Sequence, residues 1–291
     1  MTTNIDRLTL FAFALVVLIA GTNFVAVKFS NQELSPFWGA SLRFFAASFI
    51  LSLFIIIRRV PIPKSKALVG ALLYGIVGFG TSYALLYWAL LSVPAGIAAI
   101  TIALVPLITF FLAIVQKLEH FRFRVLLGAL VAALGIALIF YEQLNLDVSL
   151  LPFLALVAGA ISIAETGIIV KLFPKTHPVS MNAFGMFVGA VLLFLLSQVT
   201  SEVKTLPTQP ETWIAFIYLV TLGSVVFFAL VIFVLKHWTA SAVSYQLVLA
   251  PIVTIAIAAV LRGETVSLIS LVGSLIVLSG VYIGVLTTSK K

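Results

Sequence analysis

Apolar residues run in unbroken stretches of about 20 along the whole chain, separated by short polar or proline-containing links. Neither the alternation of a half-buried strand nor the one-sided stripe of a soluble amphipathic helix is present. Runs of that length match helices crossing roughly 30 Å of hydrocarbon. A transmembrane β-barrel would instead show ten-residue segments of alternating polarity. Ten spans are predicted, near residues 8–28, 36–57, 67–90, 95–116, 122–141, 150–171, 178–199, 211–235, 240–261 and 268–286. Only short links remain between them, with no room for a soluble domain or a long linker.

Two of these spans carry the same interruption. LVPLITFFLAIVQKLE (104–119) and LAPIVTIAIAAVLRGE (249–264) place proline, threonine, alanine, valine and glutamate at matching positions. Sliding the sequence by 145 residues aligns 78–135 with 223–280 without a gap, with fifteen identities that include Gly78/Gly223, Pro106/Pro251, Glu119/Glu264, Gly128/Gly273 and Gly135/Gly280. The repeat is half the chain, 1–145 and 146–291, and each half holds five spans. Since five is odd, the second copy enters the membrane from the opposite side. The expected fold is therefore an all-α integral membrane protein, ten transmembrane helices as two inverted five-helix repeats. Inverted repeats recur in secondary transporters, with the substrate site near the midplane where the halves meet.

Composition closes off the soluble alternative. The chain is 63% hydrophobic and 9% charged, against roughly one half and one quarter in soluble domains. With the N-terminus inside, one face holds Arg7, Arg58, Arg59, Lys64, Lys66, Lys117, Arg122, Arg124, Lys171, Lys175, Lys236, Lys290 and Lys291, and the other only Lys28, Lys204 and Arg262. That bias predicts cytoplasmic N- and C-termini, and it makes the net charge of +8 a topology signal rather than a nucleic-acid footprint. The first span is read as a spanning helix rather than a signal peptide, because its end, VAVKF at 25–29, resembles IIVKLF at 168–173, the end of the sixth.

The chemistry available is narrow. There is no cysteine, and His120, His177 and His237 sit at helix ends without metal-ligand spacing, so no metal or cofactor is expected. No HExxH and no nucleophile elbow is present, which argues against an intramembrane enzyme. What remains is a set of polar groups inside apolar spans. Proline leaves the carbonyl four residues back, Ile102 or Leu247, without its helical partner, and in hydrocarbon such a carbonyl is tolerated chiefly against protein or a wet cavity. Pro106 and Pro251 are thus candidate hinges. Thr101, with Ser244, Tyr245 and Gln246 in the other copy, precedes them and is expected to line a site with Asn23 and Tyr83. Tyr83 and Tyr87 share a helical face; Tyr87 and Trp88 also fit an interfacial aromatic belt. Arg43 and Glu165 are the two charges well inside the hydrocarbon, each costly if it faces lipid. Arg43 either snorkels outward or serves inside the bundle. Glu165 is either a proton- or cation-coupling group or a hydrogen-bonded structural carboxyl. Glu119 and Glu264 are expected to bridge Lys117 and Arg262 at helix ends, and Gly185/Gly189 and Gly280/Gly284 to mark close helix contacts within the chain.

GFGTSYALLYWALLSVPAGIAAITIALVP with KLE and LLGALVAALGIAL, and ALVIFVLKHWTASAVSYQLVLAP with RGE and LVGSLIVLSGVYIG, resemble the ten-span EamA branch of the drug/metabolite transporter superfamily. Members often carry Glu before the helix-centre proline and LGE in the loop; here those positions are Val105 and Ala250, and the loops read KLE and RGE. The overall pattern is most similar to the exporters of aromatic and other amino acids, the YddG-like group. The resemblance implies an inner-membrane carrier with a central cavity, moving amino acids or related small metabolites outward; alternating access by a monomer is the expected mode. Two alternatives stay open from the residues alone. One is a cation or multidrug exporter that uses Glu165, and the other is a non-transporting membrane receptor or scaffold.

Overall fold

The computed structural model describes residues 7–93, 95–141, 149–262 and 267–285. Its helices are α1 (Arg7–Ser30), α2 (Pro36–Arg58), α3 (Lys66–Leu90), α4 in two segments (Ala95–Ala103 and Val105–Val115) and α5 (Phe123–Ile139). The second half repeats them as α6 (Leu150–Leu172), α7 (Pro178–Val199), α8 (Pro210–His237), α9 in two segments (Ala240–Ser244 and Gln246–Arg262) and α10 (Leu268–Gly284). No strand occurs among the described residues. Eight of the ten are long and apolar enough to cross a membrane. The other two, α5 and α10, have 17 residues each, or ~25 Å of helix, slightly short of the hydrocarbon thickness.

Many large apolar side chains face outward, and alanines fill much of the buried interior alongside aromatic rings such as Phe44 and Phe110. Phe49, Ile56, Leu134, Leu195 and Leu275 are exposed, whereas Ala47, Ala113, Ala132, Ala160 and Ala190 are fully buried. With lipid as solvent, burying a leucine gains little, and close helix approach through small residues gains dispersion contact.

The halves are related by a pseudo-twofold axis. α5 packs on α10 and α2 on α7, each helix against its own counterpart. At the α5–α10 crossing, a Cβ on Gly128 would lie 2.6 Å from the Gly280 carbonyl oxygen, and one on Gly135 would lie 2.7 Å from that of Gly273. Exchanging the halves turns the first contact into the second, as a twofold between antiparallel copies requires. The chain is thus built as two inverted five-helix repeats. Lysine and arginine place both termini on the cytoplasmic side, called inner below.

Local irregularities also recur. α3 widens into a π-helical stretch at Tyr74–Thr81 and α8 does so at Thr221–Val226, which overlap when shifted by 145. Gly78 of the first is pressed against Thr166 of α6, and Gly223 of the second against Asn23 of α1. The proline interruptions are less alike. α4 breaks at Leu104, with Pro106 at the start of its second segment. α9 breaks at Tyr245, and Pro251 lies inside the continuous segment that follows. The helix interruption expected at Pro251 therefore lies six residues toward the N-terminus, at Tyr245.

Candidate functional site

Arg43 does not snorkel. It lies about seven residues, ~10 Å, below the outer end of α2, is 5% exposed, and turns inward to the π-helical turn of α8. The wide turn explains why it goes there. Ser224 donates its hydroxyl to the Leu219 carbonyl five residues back (2.8 Å), and the Gly223 carbonyl is left as an acceptor for side chains. Arg43 Nη2 donates to Gly223 O (2.7 Å) and Arg43 Nε to Ser224 Oγ (2.7 Å). Asn23 Nδ2 reaches the same Gly223 oxygen from α1 (3.3 Å). A Cβ at 223 would fall on Asn23 Oδ1 and displace that side chain.

Both acceptors of Arg43 are neutral, and it has no acidic partner among the described residues. Asn23 Oδ1 beside it is buried without a hydrogen bond. An aromatic wall adjoins the pair. The Phe44 ring centroid lies 5.2 Å from the guanidinium carbon, Tyr83 packs edge-on to Phe44 (5.0 Å, 88°), and Tyr87 packs edge-on to Tyr83 (5.7 Å, 87°). Tyr87 thus turns inward, while Trp88 faces outward as a belt residue. Tyr218 of α8 is also within electrostatic reach of the guanidinium. Asn23, Arg43 and Tyr83 therefore form one layer in the outer half of the membrane.

The α4 and α9 breaks contribute less than their sequence suggests. Thr101 is buried with its hydroxyl committed to the Ile97 carbonyl (2.9 Å), and Ser244 bonds to the Ser241 carbonyl (2.7 Å). Tyr245 is a packing residue rather than part of a binding surface. Its ring is fully buried in the largest apolar cluster, wedged under Gly284, and its hydroxyl donates to the Val125 carbonyl of α5 (3.1 Å). Gln246 is different: it is buried, and its Oε1 has no partner.

Glu165 stands apart from Arg43. Its carboxylate accepts from Gln116 Nε2 at both oxygens (3.0 and 2.8 Å), which ties α6 to the inner end of α4. Gln116 was legible in LAIVQKLE as a lone amide ending an apolar run. Among the described residues no group of three His, Asp or Glu side chains is arranged to hold a metal ion.

The two membrane faces differ. On the inner face a cleft of about 120 Å³ is lined by Lys171, Lys175, Lys236 and Glu119 among others. Glu119 does not bridge Lys117; it caps α9 by accepting from Ser241 N (3.1 Å) and Ser241 Oγ (2.5 Å). Its repeat partner Glu264 lies outside the described residues. On the outer face the α1–α2 and α7–α8 links are clasped reciprocally. Glu202 accepts from the Phe37 and Trp38 amides (3.1 and 2.7 Å) at the start of α2. Glu33 accepts from the Thr208 and Gln209 amides (both 3.1 Å) and the Thr208 hydroxyl at the start of α8. Each carboxylate sits where a helix N-terminus favours negative charge. The Thr208 hydroxyl foremost, then the Gln209 amide, holds the Glu33 carboxyl down at about 2.

Comparison with known proteins agrees with this architecture. The model of a family described as the EamA-like transporter family matches residues 7–141 and again 150–286. A Salmonella typhimurium protein named as a probable amino-acid metabolite efflux pump is 28% identical over 288 residues, covering 94% of each chain. An Escherichia coli protein named as an uncharacterized inner membrane transporter is 28% identical over 261 residues, 88% of this chain and 83% of that one. A solved structure superposes with a TM-score of 0.84 at 17% identity, covering 98% of both chains, and speaks for the fold alone.

Proposed function

The chain belongs to the EamA-like transporter family, and on that footing we propose that it exports amino acids or closely related zwitterionic metabolites across the inner membrane by alternating access. The reading treats 1–145 and 146–291 as the two moving halves and the monomer as the working unit. One observation carries it. Each half buries an amide oxygen with no partner, Asn23 Oδ1 in the first and Gln246 Oε1 in the second. An unmet buried acceptor costs about 1–3 kcal/mol, a cost that a ligand bearing an ammonium group offsets. Relatives named as amino-acid metabolite efflux pumps point to the same ligand class.

The test is flux. Purified protein in liposomes, loaded with a panel of labelled amino acids with and without a pH gradient, should show saturable movement of at least one of them. Gln246→Ala should weaken it. No flux for any amino acid would sink the reading.

A second reading has its own support: Glu165 is a half-buried carboxylate held only by a neutral amide. A cation exporter would use it to hold positive charge. Glu165→Gln separates the two, since losing organic-cation efflux while amino-acid flux persists would favour the cation reading.

A further inference from the structure

We infer that Arg43 is the anchor for the substrate's carboxylate, with the Asn23 amide oxygen beside it receiving the substrate's ammonium group. The inference rests on the transport reading above and narrows it to an α-amino acid with a free carboxylate.

A guanidinium has five N–H donors and no acceptor. Here Nε and one Nη2 hydrogen are used, on Ser224 Oγ and Gly223 O, and Nη1 makes no hydrogen bond among the described residues. The Nη1/Nη2 edge is therefore uncommitted, and that edge matches a carboxylate in bidentate geometry. A charge in the hydrocarbon region is held by a counter-charge, backbone carbonyls or water; Arg43 has one carbonyl and one hydroxyl, and the described residues give it no acid. Among the described residues the one half-buried carboxylate within the spans, Glu165, is occupied by Gln116. A locking role for α2 and α8 accounts for the two bonds made, but not for the open edge or for the orphan acceptor next to it. Asn23 Nδ2 and Arg43 Nη2 share one acceptor, Gly223 O, at 3.3 and 2.7 Å. The two side chains thus converge on one carbonyl of α8, which sets an unpaired amide oxygen and an uncommitted guanidinium edge side by side. Tyr83, partly exposed and packed edge-on to the buried Phe44, stands beside them as the apolar face for the remaining side chain.

The experiment uses the full chain in detergent and in liposomes, with labelled phenylalanine as probe and phenylalaninamide and phenethylamine as competitors. Wild type should bind phenylalanine, and the two competitors lacking a carboxylate should be weaker by roughly 10–100-fold, the value of a charged hydrogen-bonded pair. Arg43→Gln should remove that discrimination, and Arg43→Lys should restore part of it. Asn23→Asp guards against a misfolded Arg43 variant, because it places a carboxylate beside the guanidinium. It should raise the melting temperature while abolishing phenylalanine binding, an opposition that a purely structural arginine does not produce. Three results overturn the anchor: equal binding of acid and amide by wild type, unchanged selectivity in Arg43→Gln, or normal phenylalanine binding by Asn23→Asp. If wild type binds and moves no amino acid at all, the amino-acid reading fails with it. If phenylalanine is moved but ignores Arg43, only the anchor fails.

Discussion

Replacing Gly280 of α10 by alanine tests the crossing that holds the two halves together. Its new Cβ would sit 2.5 Å from Ala132 N and 2.6 Å from Gly128 O, both backbone atoms that cannot rotate away. Relieving that to ordinary contact requires α5 and α10 to part by about 1 Å, and overpacking of this kind costs about 1–3 kcal/mol. Helix propensity alone acts the other way, since glycine-to-alanine in a helix gains up to ~1 kcal/mol. The sign of the change therefore decides between packing and propensity. At Gly167 the nearest atom to a new Cβ is 3.8 Å away, so Gly167→Ala is the control in which propensity wins. Thermal unfolding in detergent should show Gly280→Ala lowered and Gly167→Ala unchanged or raised. Gly128→Ala meets the same seam, 2.5 Å from Gly284 N. Once one alanine has parted the helices the second costs less, so Gly128→Ala/Gly280→Ala should fall short of additivity by about 0.5 kcal/mol or more. A higher melting temperature for either seam variant, or strict additivity in the pair, would refute the twofold crossing.

Tyr245→Phe removes the bond to the Val125 carbonyl; it should lower stability by about 0.5–1.5 kcal/mol and leave the KM of transport unchanged, which kinetics in liposomes will show. Glu33, held at about 2, lies below its unfolded value near 4.3, so its contribution is present above that value and is lost as pH falls toward 2. The melting-temperature gap between wild type and Glu33→Gln should be constant from pH 8 to 5 and shrink below pH 4; a gap that closes near neutrality contradicts the clasp. Since the chain has no cysteine, Ser201→Cys and Lys175→Cys give clean topology reporters. An impermeant maleimide should label the first only from outside the cell and the second only from the cytoplasm.

Much of the scaffold is legible in the sequence because lipid imposes one rule on every span. Continuous apolar runs fix the helices to within a few residues, lysine and arginine fix orientation, and the 145-residue offset fixes inversion. The local departures are harder to read. Pro251 looks like Pro106 in sequence, yet its helix continues through it, because a proline removes one bond but tertiary packing decides where the chain turns. Tyr245 looks like a site residue because it is polar beside Gln246; only its contact with Val125 on another helix reveals a wedge. The π-helical turns had a signal in the glycines of 75–80 and in Gly223-Ser224, but the widening itself depends on what presses against those glycines.

The symmetry of the scaffold does not extend to its chemistry. α7, the counterpart of α2, contains no lysine or arginine. Aligning Lys28 with Lys171 puts Thr166 opposite Asn23 and Thr22 opposite Glu165. The inner links 59–65 and 173–177 contain no acidic residue, so the clasp made by Glu33 and Glu202 on the outer face cannot form on the inner one. Two identical copies would present the same contacts on both faces. These two do not, because the carboxylates that cap α2 and α8 lie on the outer side, and the inner face has a lysine-lined cleft. Duplication accounts for the twofold scaffold, and divergence of a few polar residues accounts for the difference between its two faces. Arg43 lies little more than one turn below the clasped Phe37 and Trp38 amides on the same helix, so the buried charge and the clasp are both on the outer half of α2.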